Sequence, residues 1–244
     1  MCGRYSLFAP PEKIEDRFDA TFEGAFEPRY NAAPGQALPV ITNDEPETIQ
    51  RMEWGLVPSW ADDRSDFEFI NARAETVAEK RTFAAAYERR RCLVPADGFY
   101  EWTERNGGKQ PYRVTLGDDD LFAMAGLWER WTPSQTQTGL GDFGGGSGDD
   151  RNGGPGPDPD PGPVETFTVV TTEPNEVVAD LHHRMAVVLA PDEEATWLSG
   201  DPEEVASLMD PYPDDRMRSY PVSTEVNSPA NDSPAVVREV ELGS

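Results

Sequence analysis

The chain opens Met1-Cys2-Gly3-Arg4-Tyr5. Initiator methionine is generally removed before a residue as small as cysteine, which leaves Cys2 with a free α-amine and a thiol on neighbouring carbons. Reference pKa values of ~7.7–8.0 for the amine and ~8.5 for the thiol leave both partly nucleophilic near neutrality. A 1,2-aminothiol has its own reaction with aldehydes. The amine forms a Schiff base, then the thiol adds to it and closes a five-membered thiazolidine. An internal cysteine cannot do this, because its nitrogen is locked in a peptide bond. An ordinary cysteine near a terminus is the competing reading.

Three further segments hold residue types suited to proton transfer or anion binding. In Leu93-Val-Pro-Ala-Asp-Gly-Phe-Tyr-Glu-Trp102, apolar and aromatic neighbours surround Glu101. Burial there raises a carboxyl pKa and suits it to donate a proton near neutral pH. Asp180-Leu-His-His-Arg-Met185 contains both histidines of the chain, His182 and His183. Strand neighbours face opposite sides, so one of the two is expected to face a site and shuttle protons. In Asn71-Ala-Arg-Ala-Glu-Thr-Val77, the Asn71 amide can orient a nucleophile and Arg73 can hold a phosphate through two parallel bonds. Each has a plainer reading: a solvent-facing strand glutamate, a structural histidine pair, a surface arginine in a salt bridge.

The elements that must carry these residues are mixed. Pro11–Thr21 reads as a short helix with Ile14 and Phe18 four apart, and a second helix follows Thr82, a plausible N-cap. Leu93–Thr103 and Pro111–Leu116, joined through Asn106-Gly107-Gly108, read as a β-hairpin. Leu121–Trp131 and Thr166–Thr172 are strand-like, and Met185–Leu189 is a short apolar run. Glu173–Leu181, Glu193–Leu198 and Pro202–Met209 have helical patterns. The expected fold is α+β: a single domain with a mixed, mostly antiparallel β-barrel-like core and peripheral helices. Residues 133–163 are almost all Gly, Pro, Asp, Ser and Thr and read as a flexible insertion that interrupts the domain of residues 2–222. The tail over 223–244, rich in Pro, Ser and Asn, is expected to be loosely attached.

Composition sets limits. With 46 Asp+Glu against 21 Lys+Arg the net charge is −25, and the only lysines are Lys13, Lys80 and Lys109. Such self-repulsion destabilises a compact chain and repels nucleic acid at ordinary ionic strength. In molar salt the Debye length falls to ~3 Å, so the excess reads as adaptation to concentrated salt. Any DNA groove must then be a local arginine-lined patch on a negative body. Two cysteines, Cys2 and Cys92, form no disulfide framework, and with two histidines they make no credible structural zinc set, so no metal or cofactor is expected. No apolar run approaches the ~18 residues of a membrane span, and a monomer in the reducing cytoplasm is the expectation.

Taken in order, seven blocks resemble the SRAP family (SOS response-associated peptidase-like, or abasic site processing, proteins). They are Cys2-Gly3-Arg4-Tyr5, Tyr30–Gln36, Met52–Trp60, Asn71–Thr76, Arg91–Trp102, Phe122–Glu129 and His182–Met185, spanning nearly all of residues 2–222 outside the insertion. The resemblance implies that Cys2 forms a thiazolidine with the ring-opened aldehyde of an abasic deoxyribose in single-stranded DNA. It implies that Asn71 positions Cys2, that Glu101 transfers protons, and that His182 aids ring opening and crosslink reversal, with His183 at a variable position. Arg4 and Arg73 correspond to phosphate-contacting arginines, while Pro34, Trp60 and Trp102 correspond to residues that stack or wedge against neighbouring bases. The chain has Ala186 where the family commonly has Pro. Three other readings compete: an N-terminal-nucleophile amidohydrolase, a thiol peptidase acting on its own Met1, and a noncatalytic single-strand binding module.

Overall fold

Strands that read as nearly continuous apolar runs become the covered centre of the molecule. The computed structural model describes residues 2–66, 68–105, 107–117, 120–132 and 162–242. The expected insertion lies outside these residues except for its last two positions. In chain order the strands begin β1 (Tyr5–Leu7), β2 (Thr21–Phe22), β3 (Arg29–Ala32), β4 (Ala37–Thr42), β5 (Thr48–Trp54), β6 (Asn71–Arg73) and β7 (Arg91–Ala96). They continue with β8 (Gly98–Arg105), β9 (Gly108–Leu116), β10 (Phe122–Trp131), β11 (Val164–Thr172), β12 (Met185–Ala186), β13 (Val188–Leu189) and β14 (Met217–Pro221). Among the described residues five short α-helices flank them: α1 (Pro11–Phe18), α2 (Ala84–Arg89), α3 (Glu176–Ala179), α4 (Glu194–Ser199) and α5 (Pro202–Ala206).

The fold is a single α+β domain with a mixed, mostly antiparallel, barrel-like core. A five-stranded sheet runs β14-β9-β8-β1-β3, and a nine-stranded one is built on the path β12-β11-β10-β7-β4-β5-β2. Among the described residues, parallel pairing is confined to β11 with β5 and β6, and to β2 with β5. β7 is buried at every position and β10 at all but one, which is why their sequences lack polar alternation. Gly126 on β10 has no room for a side chain: a Cβ there would lie 2.7 Å from Cys92 Sγ and 2.9 Å from Val94 Cγ2.

Three expectations are revised. The run Leu93–Thr103 is not one strand: the chain passes from β7 in the larger sheet to β8 in the smaller one at Asp97. Asp97 is buried and accepts from Ser6 Oγ at 2.6 Å, from the Phe8 N–H at 2.6 Å and from Arg113 Nη2 at 3.0 Å. Its neighbour Gly98 leaves space for the Arg113 guanidinium, which a Cβ would meet at 2.7 Å. The helix expected to be capped by Thr82 starts later, at Ala84, with Phe83 at the N-cap. The tail is docked over 223–242, not loosely attached. Val226 and Val236 are fully buried against Tyr100 and Val222. The Asn31 amide donates to the carbonyls of Val226, Ser228 and Asn231. Asp232 accepts from the Tyr30 and Asn31 N–H groups.

β1 fixes the start of the chain. It lies between β8 and β3, and the ladder continues beyond it through the Tyr100 N–H to the Arg4 carbonyl at 3.0 Å. Cys2 therefore leaves the end of a paired strand in a defined direction.

Candidate active site

Cys2, Asn71, Glu101 and His182 come from four separate parts of the chain. Cys2 is fully buried at the start of β1. Asn71 opens β6, whose parallel register with β11 sets Asn71 opposite Val169. Its amide Nδ2 donates to the Cys2 carbonyl oxygen at 3.0 Å. Asn71 Oδ1 is buried with no hydrogen-bond partner among the described residues.

Glu101 sits on β8 opposite Tyr112 and is 2% exposed. Burial pushes its carboxyl up to about 7. The same burial, with Glu101 adding its charge, pushes the Cys2 thiol up to about 12. A protonated thiol and a carboxyl poised near neutrality thus share one enclosed region.

His182 Nδ1 lies 3.9 Å from Glu101 Oε2. Arg184 N and O are each 3.1 Å from Nδ1. The carbonyl can only accept and the N–H can only donate, so the two contacts call for opposite tautomers; the one that donates Nδ1–H to the Arg184 carbonyl leaves Nε2 as the ring's free acceptor. Burial lowers the His182 pKa below its ordinary value of 6.5. His183 packs against it, with ring centroids 4.2 Å apart and the rings tilted by 34°. The segment is held by Arg184, whose guanidinium pairs with Glu75 and donates to the Thr171 carbonyl on β11. The sequence reading gave Arg184 no role; its partners, Glu75 and the Thr171 carbonyl, are brought to it only by the fold.

An open cavity of about 400 Å³ lies beside these groups, lined by Glu101, Trp102, Lys109, His182 and Asn227. Trp102 is half-buried, and its indole N–H donates to Asn227 Oδ1 at 2.7 Å. Lys109 and Asn227 went unnoticed in the sequence, because only the folded chain brings β9 and the tail to Glu101.

The two arginines assigned to phosphate are placed differently. Arg73 is exposed, and its side chain makes no ion pair or hydrogen bond among the described residues. Arg4 Nη1 donates to Asn31 Oδ1 at 2.8 Å and to the Val226 carbonyl at 2.9 Å, and Nη2 to the Asn227 carbonyl at 3.5 Å. Its donors are turned to the tail. Pro34 is exposed in the turn between β3 and β4, where Gly35 has φ +79° and the Gln36 N–H reaches the Ala33 carbonyl. Proline followed by a positive-φ glycine is the signature of a type II turn. Trp60 is 39% exposed, with the Arg81 guanidinium 4.3 Å from its ring centroid. Both cysteines are free thiols. Among the described residues no three His, Cys, Asp or Glu side chains gather as a metal site, and no helix is long and apolar enough to cross a membrane.

The family description "SOS response associated peptidase (SRAP)" matches residues 1–229. The chain belongs to the SRAP family. Among curated SRAP proteins it is 38% identical to abasic site processing protein YoqW of Bacillus subtilis, across 97% of this chain and 99% of that one. It is 31% identical to abasic site processing protein HMCES of Gallus gallus, across 91% of this chain and 69% of that one. A crystal structure of a Bacteroides thetaiotaomicron protein superposes with a TM-score of 0.81 at 26% identity, covering 98% of this chain and all of that one. The SRAP match extends past 222 into the docked tail, in keeping with the tail's place in the folded unit.

Proposed function

We propose that this SRAP protein captures abasic sites in single-stranded DNA as a thiazolidine on Cys2. Once Met1 is hydrolysed away, the Cys2 nitrogen becomes an α-amine anchored by the Asn71 contact to its carbonyl. The abasic sugar opens to a C1′ aldehyde, with His182, neutral at pH 7, accepting the hydroxyl proton and the Glu101 carboxyl donating to the ring oxygen. The amine adds to C1′ and water leaves, giving the imine. The thiol then adds to C1′ and its proton passes to the nitrogen. Net, aldehyde and aminothiol give thiazolidine and water, with no redox change and no cofactor.

The observation that carries this reading is the meeting of the chain's first strand with Asn71, Glu101 and His182, with Glu101 held at about 7 beside the buried Cys2. A general acid works best with a pKa near the working pH. Abasic site processing is also what the curated relatives' names describe. A thiol peptidase fits less well. Its nucleophile needs a depressed thiol pKa, whereas Cys2 is pushed up to about 12; in thiazolidine formation the amine attacks first.

The deciding experiment mixes the purified protein in high salt with a single-stranded oligonucleotide carrying one abasic site, followed by a denaturing gel. A shifted covalent band that Cys2→Ala abolishes is the expected result. Unchanged crosslinking by Cys2→Ala, or retention of Met1 in the crosslinking species by mass spectrometry, overturns the mechanism. Ammonia release from glutamine would point to an amidohydrolase.

A further inference from the structure

Trp102 and Asn227 meet where the tail crosses the cavity. An indole N–H can only donate, so the atom 2.7 Å from Trp102 Nε1 must be the amide oxygen of Asn227. That fixes the amide's orientation and leaves both Nδ2 hydrogens as donors. Asn227 is exposed and lines the cavity beside Glu101 and His182.

Lys109 lines the same cavity from the start of β9. It is exposed, and among the described residues it makes no ion pair, although Glu104 is its register partner on β8. In a chain with 46 acidic residues and three lysines, it is the only Lys or Arg side chain among the residues lining this cavity. Arg4, expected to hold a phosphate, instead spends its donors on Asn31 and the tail carbonyls. A nucleotide seated beside Glu101 and His182 therefore meets Lys109 and Asn227 in the cavity lining, and not Arg4.

We propose that Lys109 and Asn227 form a phosphodiester subsite for the DNA strand at the mouth of the cavity. Lys109 acts as a point charge. The Asn227 amide, oriented by Trp102, supplies neutral donors. The subsite rests on reading the cavity as the seat of an abasic nucleotide.

The test uses the full chain and a single-stranded oligonucleotide containing one tetrahydrofuran residue, which has no C1′ hydroxyl and cannot form an aldehyde. Affinity is measured by fluorescence anisotropy across a range of KCl concentrations. Lys109→Gln is expected to weaken binding several-fold and to flatten the slope of log K against log salt by about 0.7, the signature of one lost phosphate contact on a single strand. Lys13→Gln makes the same charge change on α1, where Lys13 lines a different cavity, and leaves the slope at the wild-type value. Asn227→Asp keeps an acceptor for Trp102 Nε1 but replaces the donors with a carboxylate oxygen; it weakens binding while the melting temperature holds. Equal slopes for the Lys109 and Lys13 variants overturn the subsite, as does wild-type affinity in Asn227→Asp. If these shifts occur but the wild-type protein forms no covalent adduct with an aldehyde-bearing oligonucleotide, the subsite stands and the thiazolidine reading fails.

Discussion

Asn71 donates its amide to the Cys2 carbonyl at 3.0 Å, while the other end of the same amide, Oδ1, is buried without a partner among the described residues. A buried acceptor left unpaired costs free energy, and a free amine on Cys2 is the donor that could satisfy it. Asn71→Ala removes both functions. The expected result is a crosslinking rate roughly tenfold lower or worse, the equivalent of about 1.4 kcal/mol of barrier. The cost to the fold is one hydrogen bond, about 1 kcal/mol. Asn71→Asp sets an acceptor against the Cys2 carbonyl and should be slower still. A quenched-flow time course with saturating abasic DNA checks both, and wild-type rates in both variants would remove Asn71 from the mechanism.

Glu101 and His182 should shape the pH profile from opposite sides. His182 accepts a proton only when neutral, and burial holds its pKa below 6.5, so the crosslinking rate falls on the acid side as the ring charges. Glu101 donates only while protonated, so the rate falls on the alkaline side above about 7. Glu101→Gln should lower the maximum and flatten the alkaline limb, whereas His182→Ala should lower the rate and leave an acid limb set by protonation of the Cys2 amine. An unchanged alkaline limb in Glu101→Gln would rule the carboxyl out as the acid.

The same carboxyl affects stability, with a definite sign. The folded chain keeps the Glu101 proton up to about 7, whereas the ordinary value is 4.5. Between those values the folded state binds more protons than the unfolded one, so stability falls as pH rises through that window. The loss approaches about 3 kcal/mol once both states are ionised. Glu101→Gln escapes it. Its melting temperature relative to wild type should therefore be higher at pH 8 than at pH 5, by calorimetry; a constant difference would mean Glu101 is not shifted.

Arg4 and Arg73 look alike in sequence and should behave differently. Arg73, exposed and uncommitted, is expected to weaken single-strand binding when changed to Ala, with a shallower salt dependence and little change in melting temperature. Arg4→Ala removes the bonds to Asn31, Val226 and Asn227 and should chiefly loosen the tail, seen as faster proteolysis near residue 227 and a lower melting temperature. Equal effects of the two variants on DNA affinity at unchanged stability would mean Arg4 also reaches the strand.

That contrast marks where sequence reading stops. The β8–β9 hairpin was legible because Gly107, at φ +79°, sits in the turn between two apolar-alternating runs. Asn71, Glu101 and His182 could be picked out beside Cys2 through the ordered blocks that carry them, and the fold sets Asn71 on the Cys2 carbonyl and His182 near Glu101. The break between β7 and β8 was hidden, because Asp97 turns the chain through partners as far away as Ser6 and Arg113. The tail was misread because its polar composition suggested looseness, whereas two buried valines and the Asn31 amide hold it. Whether an arginine's donors are spent cannot be read from its type, and Lys109 became notable only when the fold placed it at the cavity.

Concentrated salt sets the last condition. At −25 the chain repels itself, and raising KCl from ~0.1 to ~1 M shortens the Debye length from about 10 to 3 Å. The melting temperature should rise across that range; each kcal/mol recovered is worth roughly 2–4 °C in a chain of this size. Encounter with DNA behaves oppositely, because every phosphate contact weakens as salt rises. A protein that held DNA by charge alone would lose it where it is most stable. A covalent bond does not depend on ionic strength, so the adduct, once formed, should survive a jump to molar KCl even as the rate of forming it drops. Gel time courses before and after the jump separate the two rates. Adduct lost within the jump, or a melting temperature that falls as KCl is added, would break this account of how a strongly acidic chain works on an acidic polymer.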